Sequence, residues 1–403
     1  MQTTGNTLST AAALAAKIGT INSEVLEQNI GKEELLTVIW LGLITRRPVF
    51  ALGTFGVNKT QTIQAAVTRI SGATFYEQLI PQLRSSSQMF VESTSIQEEN
   101  LPNGGKSISV QEMLGLALNA HVFYGDEFFK KPDHPALNDL IDYALNGIVR
   151  HGGKKIETPL RLFVASGNET PDSSGEIGAV WARMTLRVYV HSLNETQRRQ
   201  LLQSRTLKQR GQSASPTVAL TLEDVDMLQQ AFSFVELPDA IVDTVFEVYA
   251  ELDKRTDQDF KLILGDDRRF ARISDILRAH ALLNGRTKVT QHDLVVLKWM
   301  LWDKQEHIPA LMEVLAPYIR TPFTEAQEMV DTLLAPDSSL MKALAGDINQ
   351  ATAAIRDSKD ALAQLDQLKT EAGSDQAMVA AIEALRQTVG AEQEKLINKL
   401  KGN

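Results

Sequence analysis

Apolar positions recur at helical spacing over residues 8–28, where Leu8, Ala12, Ile18, Val25 and Leu26 share a face and Gly19-Thr20 marks a break. A second helix opens at Ile30-Gly31-Lys32-Glu33-Glu34 and runs to Leu43, where Arg46-Arg47-Pro48 ends it. The period then shortens. Val49-Phe50-Ala51-Leu52, Val122-Phe123-Tyr124 and residues 160–165 and 185–190 read as buried strands, with helical stretches at 60–69 and about 134–145 between them. Strands alternating with helices predict an α/β layer with a mostly parallel sheet covered on both faces. Polar segments on either side of Pro102-Asn103-Gly104-Gly105 predict an inserted β-hairpin, and Gly152-Gly153 a turn.

From Asn194 onward the pattern is helical. Gln209-Arg210-Gly211-Gln212-Ser213-Ala214-Ser215-Pro216 has linker composition. Residues 221–316 read as all-helical. Asp266-Asp267 starts one helix and Asn284-Gly285 stops it. Thr290-Gln291-His292-Asp293 is a capping box with Asp in place of Glu, and opens a helix that carries Trp299 and Trp302 as packing residues. In the tail, Leu344, Ile348, Ala351, Ile355, Ser358, Leu362 and Leu365 alternate steps of four and three. The spacing resumes after Gly373-Ser374-Asp375 with Met378, Ile382, Leu385, Val389 and Leu396. Two heptad-patterned helices around a Gly turn predict an antiparallel, coiled-coil-like hairpin. The expected division is a nucleotide-binding core over 1–205, a linker over 206–218, an all-helical region over 219–336 and the hairpin over 337–403.

Composition narrows the function classes. The 403 residues are 43% hydrophobic and 23% charged, a globular balance with length for two or three domains. A net charge of −9 without a Lys/Arg-dense block argues against nucleic acid or a membrane surface as partner. The chain has no cysteine, which excludes disulfides, thiolate metal sites and Cys nucleophiles and fits a reducing, cytoplasmic setting. Its start lacks a basic n-region, and the longest apolar run, 35–44, is too short to span a bilayer. The seven histidines show no ligand spacing, and His121 reads as structural.

The chemistry is carried by Gly53-Thr54-Phe55-Gly56-Val57-Asn58-Lys59-Thr60, between the first strand and a helix. Strand, Gly-rich turn ending in Lys-Thr, then helix is a P-loop arrangement. Its backbone N–H groups cradle phosphates, its lysine reaches the β/γ-phosphates, and its Thr hydroxyl can hold Mg²⁺. Asn58 stands where the pattern has Gly. Asn is the non-Gly residue that best tolerates a left-handed backbone, so the turn can survive with nucleotide binding kept and hydrolysis slowed. Asp126, directly after the strand ending at Gly125, is placed to complete the Mg²⁺ site, and Glu127 to polarise a water for attack on the γ-phosphate. Asn168, at the end of the next strand, could orient that water, and Arg183 could reach a neighbouring subunit's γ-phosphate. Such arginines are worth about 10³–10⁵ in rate. Arg268-Arg269, at a helix start, could close onto the phosphates.

Taken together, these stretches, with Phe163 through Asn168, Trp181-Ala182-Arg183-Met184 and Gly265-Asp266-Asp267-Arg268-Arg269-Phe270, resemble a MoxR-type AAA+ ATPase of the RavA-like branch over about residues 8–320. The resemblance implies an αβα P-loop core with an all-α lid. Lys59 and Thr60 would be Walker A, Asp126 and Glu127 Walker B, Asn168 sensor 1, Arg183 a finger acting in trans and Arg268 sensor 2. It further implies ATP at the subunit interfaces of a homo-oligomeric, hexameric ring, a partner with a von Willebrand factor A domain, and chaperone-like remodelling or maturation of protein complexes. Three positions depart from the family: the degenerate Walker A at Asn58, Gly125 in place of a large apolar residue, expected to loosen its strand, and Ala182 where relatives often have Asp. The competing readings are a nucleotide-gated scaffold that recruits a partner through its tail, and, against the acidic charge, a DNA-associated motor.

Overall fold

The computed structural model describes residues 2–83, 85, 87–100, 106–130, 136–151, 153–171, 175–209, 218–255, 260–319, 321–372 and 376–401. The expected turns at 102–105 and 373–375, residue 152 and the linker residues 210–216 fall outside these. Two compact units emerge, Met1–Leu315 and Ala316–Asn403.

The first unit is built on five strands: β1 (Val49–Leu52), β2 (Phe75–Leu79), β3 (Val122–Asp126), β4 (Leu162–Gly167) and β5 (Leu186–Tyr189). They form one sheet in the order β5-β1-β4-β3-β2, with every neighbouring pair parallel. β1 and β4 are buried along their whole length, as apolar runs in a sheet covered on both faces should be. Because the strands are parallel, the P-loop after β1, Asp126 at the end of β3 and Asn168 after β4 leave the same edge. Two antiparallel hairpins are inserted. Val91–Asn100 pairs with Lys106–Leu114, as the polar segments predicted, and Ile148–His151 pairs with Lys154–Glu157 around the second turn.

The opening helix, Gln2–Leu26, runs unbroken through Gly19, contrary to the expected break. An interior Gly costs about 1 kcal/mol relative to Ala. Burial of Ala11, Leu14, Ala15, Ile18, Ile21 and Val25 along one face outweighs it. Helix Glu33–Thr45 is buried from Leu35 onward except at Thr37, and ends at Arg46 in the left-handed conformation. His121 is structural, with its Nδ1 2.8 Å from Thr74 Oγ1.

Among the described residues, 222–255 and 260–315 are mostly helical and belong to the same compact unit. Helix Asp267–Leu283 is capped by Asp266, whose side chain accepts from Arg269 N–H. The Thr290 capping box forms, but the turn it opens, Gln291–Trp299, is a 3₁₀ helix. Trp299 and Trp302 are buried, as packing residues should be. Arg187 of β5 is fully buried. It donates to Trp302 O, to Asp303 Oδ1 and, at 2.7 Å, to Trp181 O, and its guanidinium lies 4.0 Å from the Trp181 ring centroid. Arg269 donates to the same Asp303 oxygen at 3.0 Å. The carboxylate thus ties the edge strand of the sheet to the helical region.

The second unit contains Pro322–Leu333, Ser339–Ala345, Ala351–Glu371 and Gln376–Lys401. The two long helices are the expected hairpin, and the two short ones share its core. The buried seam on the first long helix is Ala351, Ala354, Ser358, Ala361, Leu365 and Leu368. Ile348 and Ile355, which the heptad reading placed in the seam, are exposed. Small Ala side chains let the helices approach closely, and the seam follows them. Ser358 joins the hairpin through Gln393 Nε2 at 2.9 Å, and Lys369–Glu383 and Arg386–Asp366 pair across it.

Candidate nucleotide site

The loop after β1 is anchored at its start, where Gly53 N–H donates to Gly167 O at 3.1 Å. It turns through Gly56, at φ 77°, and Asn58, at φ 61° and ψ 29°, before helix Lys59–Val67 begins. Asn58 occupies the left-handed region, where Gly is free and Asn the next best tolerated. Its carbonyl accepts from Thr62 N and Oγ1 at 3.1 and 2.8 Å, its side chain makes no capping hydrogen bond, and the residue lines the cleft.

Lys59 is buried and folded over its own loop, with Nζ 2.6 Å from Gly53 O and 3.1 Å from Thr54 O. Burial lowers its pKa, Asp126 partly offsets that, and nearby Lys32 lowers it further. Lys32 is itself buried, and donates to His191 O at 3.0 Å. A buried lysine such as Lys59, whose only acceptors among the described residues are loop carbonyls, favours an anion in the cleft, since a nearby anion stabilises its charged form.

Asp126 ends β3. Its Oδ1 accepts from Glu127 N–H at 3.0 Å, from Tyr124 Oη at 3.2 Å and from Ser166 Oγ, and among the described residues no donor reaches Oδ2. Thr60 Oγ1 lies 2.9 Å from the same Tyr124 hydroxyl. Glu127 is left-handed at φ 52°, and both of its oxygens lie 2.8 Å from Lys130 Nζ. Gly125 does not loosen β3, which is paired on both sides. A Cβ there would come within 3.1 Å of the Phe128 ring, so the missing side chain makes room for that ring just past the acids.

A cleft of about 280 Å³ is lined by residues 55–61, Asp126, Glu127 and Asn168. Phe55, 74% exposed, belongs both to it and to a neighbouring cleft that shares Glu127 and Asn168 and adds Lys130 and Glu169. The structure therefore brings together the loop Gly53 to Thr60, Asp126, Glu127 and Asn168. It does not bring Arg183 or Arg268 to the cleft. Arg183, the last residue of helix Gly175–Arg183, donates to Ala179 O at 2.6 Å, and Arg268 is exposed on the first turn of its helix. Sequence reasoning missed Tyr124, Ser166, Lys130 and Lys32. For the first two the signal was there: Tyr124 and Asp126 are two apart on one strand and so share a face, and Ser166 stands on the same face of the adjoining strand.

A parallel sheet in this order, a P-loop off the interior strand β1, acids off the next strand but one and a following helical lid define an AAA+ fold. The chain belongs to the MoxR family within it. Residues 16–230 match the family described as the MoxR domain in the MoxR-vWA-beta-propeller ternary systems, and residues 240–315 match an AAA lid domain. Two uncharacterized proteins of Methanocaldococcus jannaschii are similar. One is 24% identical over 300 residues, spanning 74% of this chain and 73% of the relative. The other is 26% identical over 318 residues, spanning 78% and 79%. The crystal structure of a candidate ATPase from Cytophaga hutchinsonii shares the fold at a TM-score of 0.56 and 14% identity, over 77% of this chain and 96% of that one. No described helix is long and apolar enough to cross a membrane.

Proposed function

We propose that this protein binds ATP with Mg²⁺ in the P-loop cleft and hydrolyses it within a homo-oligomeric ring, hexameric in keeping with the family resemblance, to remodel or mature a partner protein complex. The supporting observation is the convergence of Lys59, Thr60, Asp126, Glu127 and Asn168 on one cleft at the sheet's carboxyl edge. The N-terminus of helix Lys59–Val67 and the loop N–H groups suit phosphate oxygens there. Lys59 exchanges the Gly53 and Thr54 carbonyls for phosphate. Thr60 Oγ1 and Asp126 Oδ2 are hard oxygen donors that fit Mg²⁺ and would hold it, the ion supplying charge neutralisation on the β/γ-phosphates.

Glu127 orients the attacking water and takes up its proton, and Asn168 holds that water from the other side. Arg183 acts on the γ-phosphate bound by a neighbouring copy, and Arg268 acts from the lid once it closes. The RavA-like branch, with Asn58 as a degenerate Walker A that slows turnover, is part of the same reading. The family's description supports a partner bearing a von Willebrand factor A domain.

The second reading, a nucleotide-gated scaffold with little hydrolysis, has a specific observation in its favour. Lys130 grips both oxygens of Glu127, and hydrolysis requires that pair to open. Glu127→Gln separates the two. The hydrolase reading expects ATP binding equal to wild type, phosphate release down by at least about 100-fold, and rings that persist in ATP. A variant that turns over as fast as wild type removes Glu127 from the role.

A further inference from the structure

We propose that Tyr124 is a positioning residue for the divalent cation, holding Thr60 and Asp126 in the state that accepts it. The proposal rests on the nucleotide reading above. It begins from four oxygens: Thr60 Oγ1 is 2.9 Å from Tyr124 Oη, Tyr124 Oη is 2.8 Å from Ser166 Oγ, and Ser166 Oγ donates to Asp126 Oδ1. Tyr124 and Ser166 are fully buried, so each hydroxyl depends on partners inside the protein.

Proton counting gives the chain a direction. Each hydroxyl has one proton to donate, whereas a carboxylate only accepts. Ser166 donates to Asp126, so its contact with Tyr124 must carry the phenolic proton. The contact between Tyr124 and Thr60 must then carry the Thr60 proton. The relay runs Thr60 to Tyr124 to Ser166 to Asp126, with one proton per contact, and neighbouring bonds in such a chain polarise one another. The 3.2 Å approach of Tyr124 to Asp126 is a weaker side branch.

Two consequences bear on a cation. The Thr60 proton is drawn away from the cleft, leaving the lone pairs of Oγ1 for a ligand. Two donors on Asp126 Oδ1, the Glu127 N–H and Ser166 Oγ, fix the carboxylate, with Oδ2 left over. Tyr124 acts as a spacer, since Thr60 and Asp126 meet only through it and Ser166. Without the phenol, the Thr60 proton has no acceptor on this side and is free to turn toward the cation.

The test measures ADP affinity by calorimetry, with Mg²⁺ and with EDTA, for wild type, Tyr124→Phe and Ser166→Ala. Mn²⁺ affinity of the nucleotide complex, read by electron paramagnetic resonance, is the second readout. Tyr124→Phe is expected to bind ADP in EDTA within about twofold of wild type and to lose roughly tenfold of the Mg²⁺-dependent tightening, the size of one well-formed hydrogen bond. Its Mn²⁺ affinity falls in step. Ser166→Ala falls between, because Tyr124 keeps its direct approach to Asp126. Wild-type tightening in Tyr124→Phe, or an equal loss in EDTA and Mg²⁺, overturns the proposal and leaves the phenol a packing residue. A wild type that binds no ADP in either condition overturns the nucleotide reading, and this proposal with it.

Discussion

Asn58 shows how far one residue can be read in advance. Asn is the non-Gly residue that best tolerates a left-handed site ahead of Lys59, and the backbone is left-handed there, at φ 61°. A left-handed L-residue costs about 1–2 kcal/mol, least for Asn. Asn58→Gly relieves that cost but adds freedom to the unfolded chain. Its stability should therefore stay within about 0.5 kcal/mol of wild type, while phosphate release rises several-fold as the side chain leaves the cleft. Urea melts and phosphate release check both, and slower release would show that the Asn58 side chain assists. Other residues were not legible in this way. Lys130 pairs with Glu127, whose backbone is itself left-handed, and no local pattern announces that conformation. Gly125 looked like a weakness because Phe128, the ring it makes room for, lies past the strand's end.

At the scale of elements, four of the five sheet strands were legible, because apolar runs, Gly-rich turns and strand-end acids sit close together in the chain; β2, only partly buried at the edge of the sheet, has no such apolar run. Pairings of distant segments were not. Asp303 had no sequence signal, yet it joins Arg187 on β5 to Arg269 on the helix Asp267–Leu283. Burial works against its charge, but Arg187 and then Arg269 outweigh it and hold its pKa below the ordinary 3.8. Asp303 therefore contributes stability above the ordinary value, and that contribution is lost as pH falls through the lower native one. Asp303→Asn removes the carboxylate that pairs with buried Arg187 and leaves Arg269 with Asp266 alone. It is expected to cost about 3–5 kcal/mol at neutral pH and to flatten the acid limb of stability, as urea midpoints across a pH series would show. The tail teaches a related lesson. Its heptad period was visible, but the seam follows Ala354 and Ala361 rather than Ile348 and Ile355, because helix separation and not hydrophobicity alone selects the face.

For the whole molecule, the fold and most of the cleft could be anticipated from the chain, whereas the roles of Arg183 and Arg268 could not be placed within one copy. Arg183 bonds to its own helix and Arg268 stands exposed. On the proposed function, that arrangement suits groups that act across an interface or after lid closure, and turnover would then be a property of the assembly. The central claim is that the cleft around Lys59 hydrolyses ATP. Its most direct test is steady-state phosphate release at saturating ATP and Mg²⁺, wild type beside Lys59→Ala, over a range of protein concentrations. The account predicts wild-type release well above the variant, with a rate per chain that rises as rings form. Wild-type release no higher than that of Lys59→Ala, in a protein that still binds ATP, would contradict it.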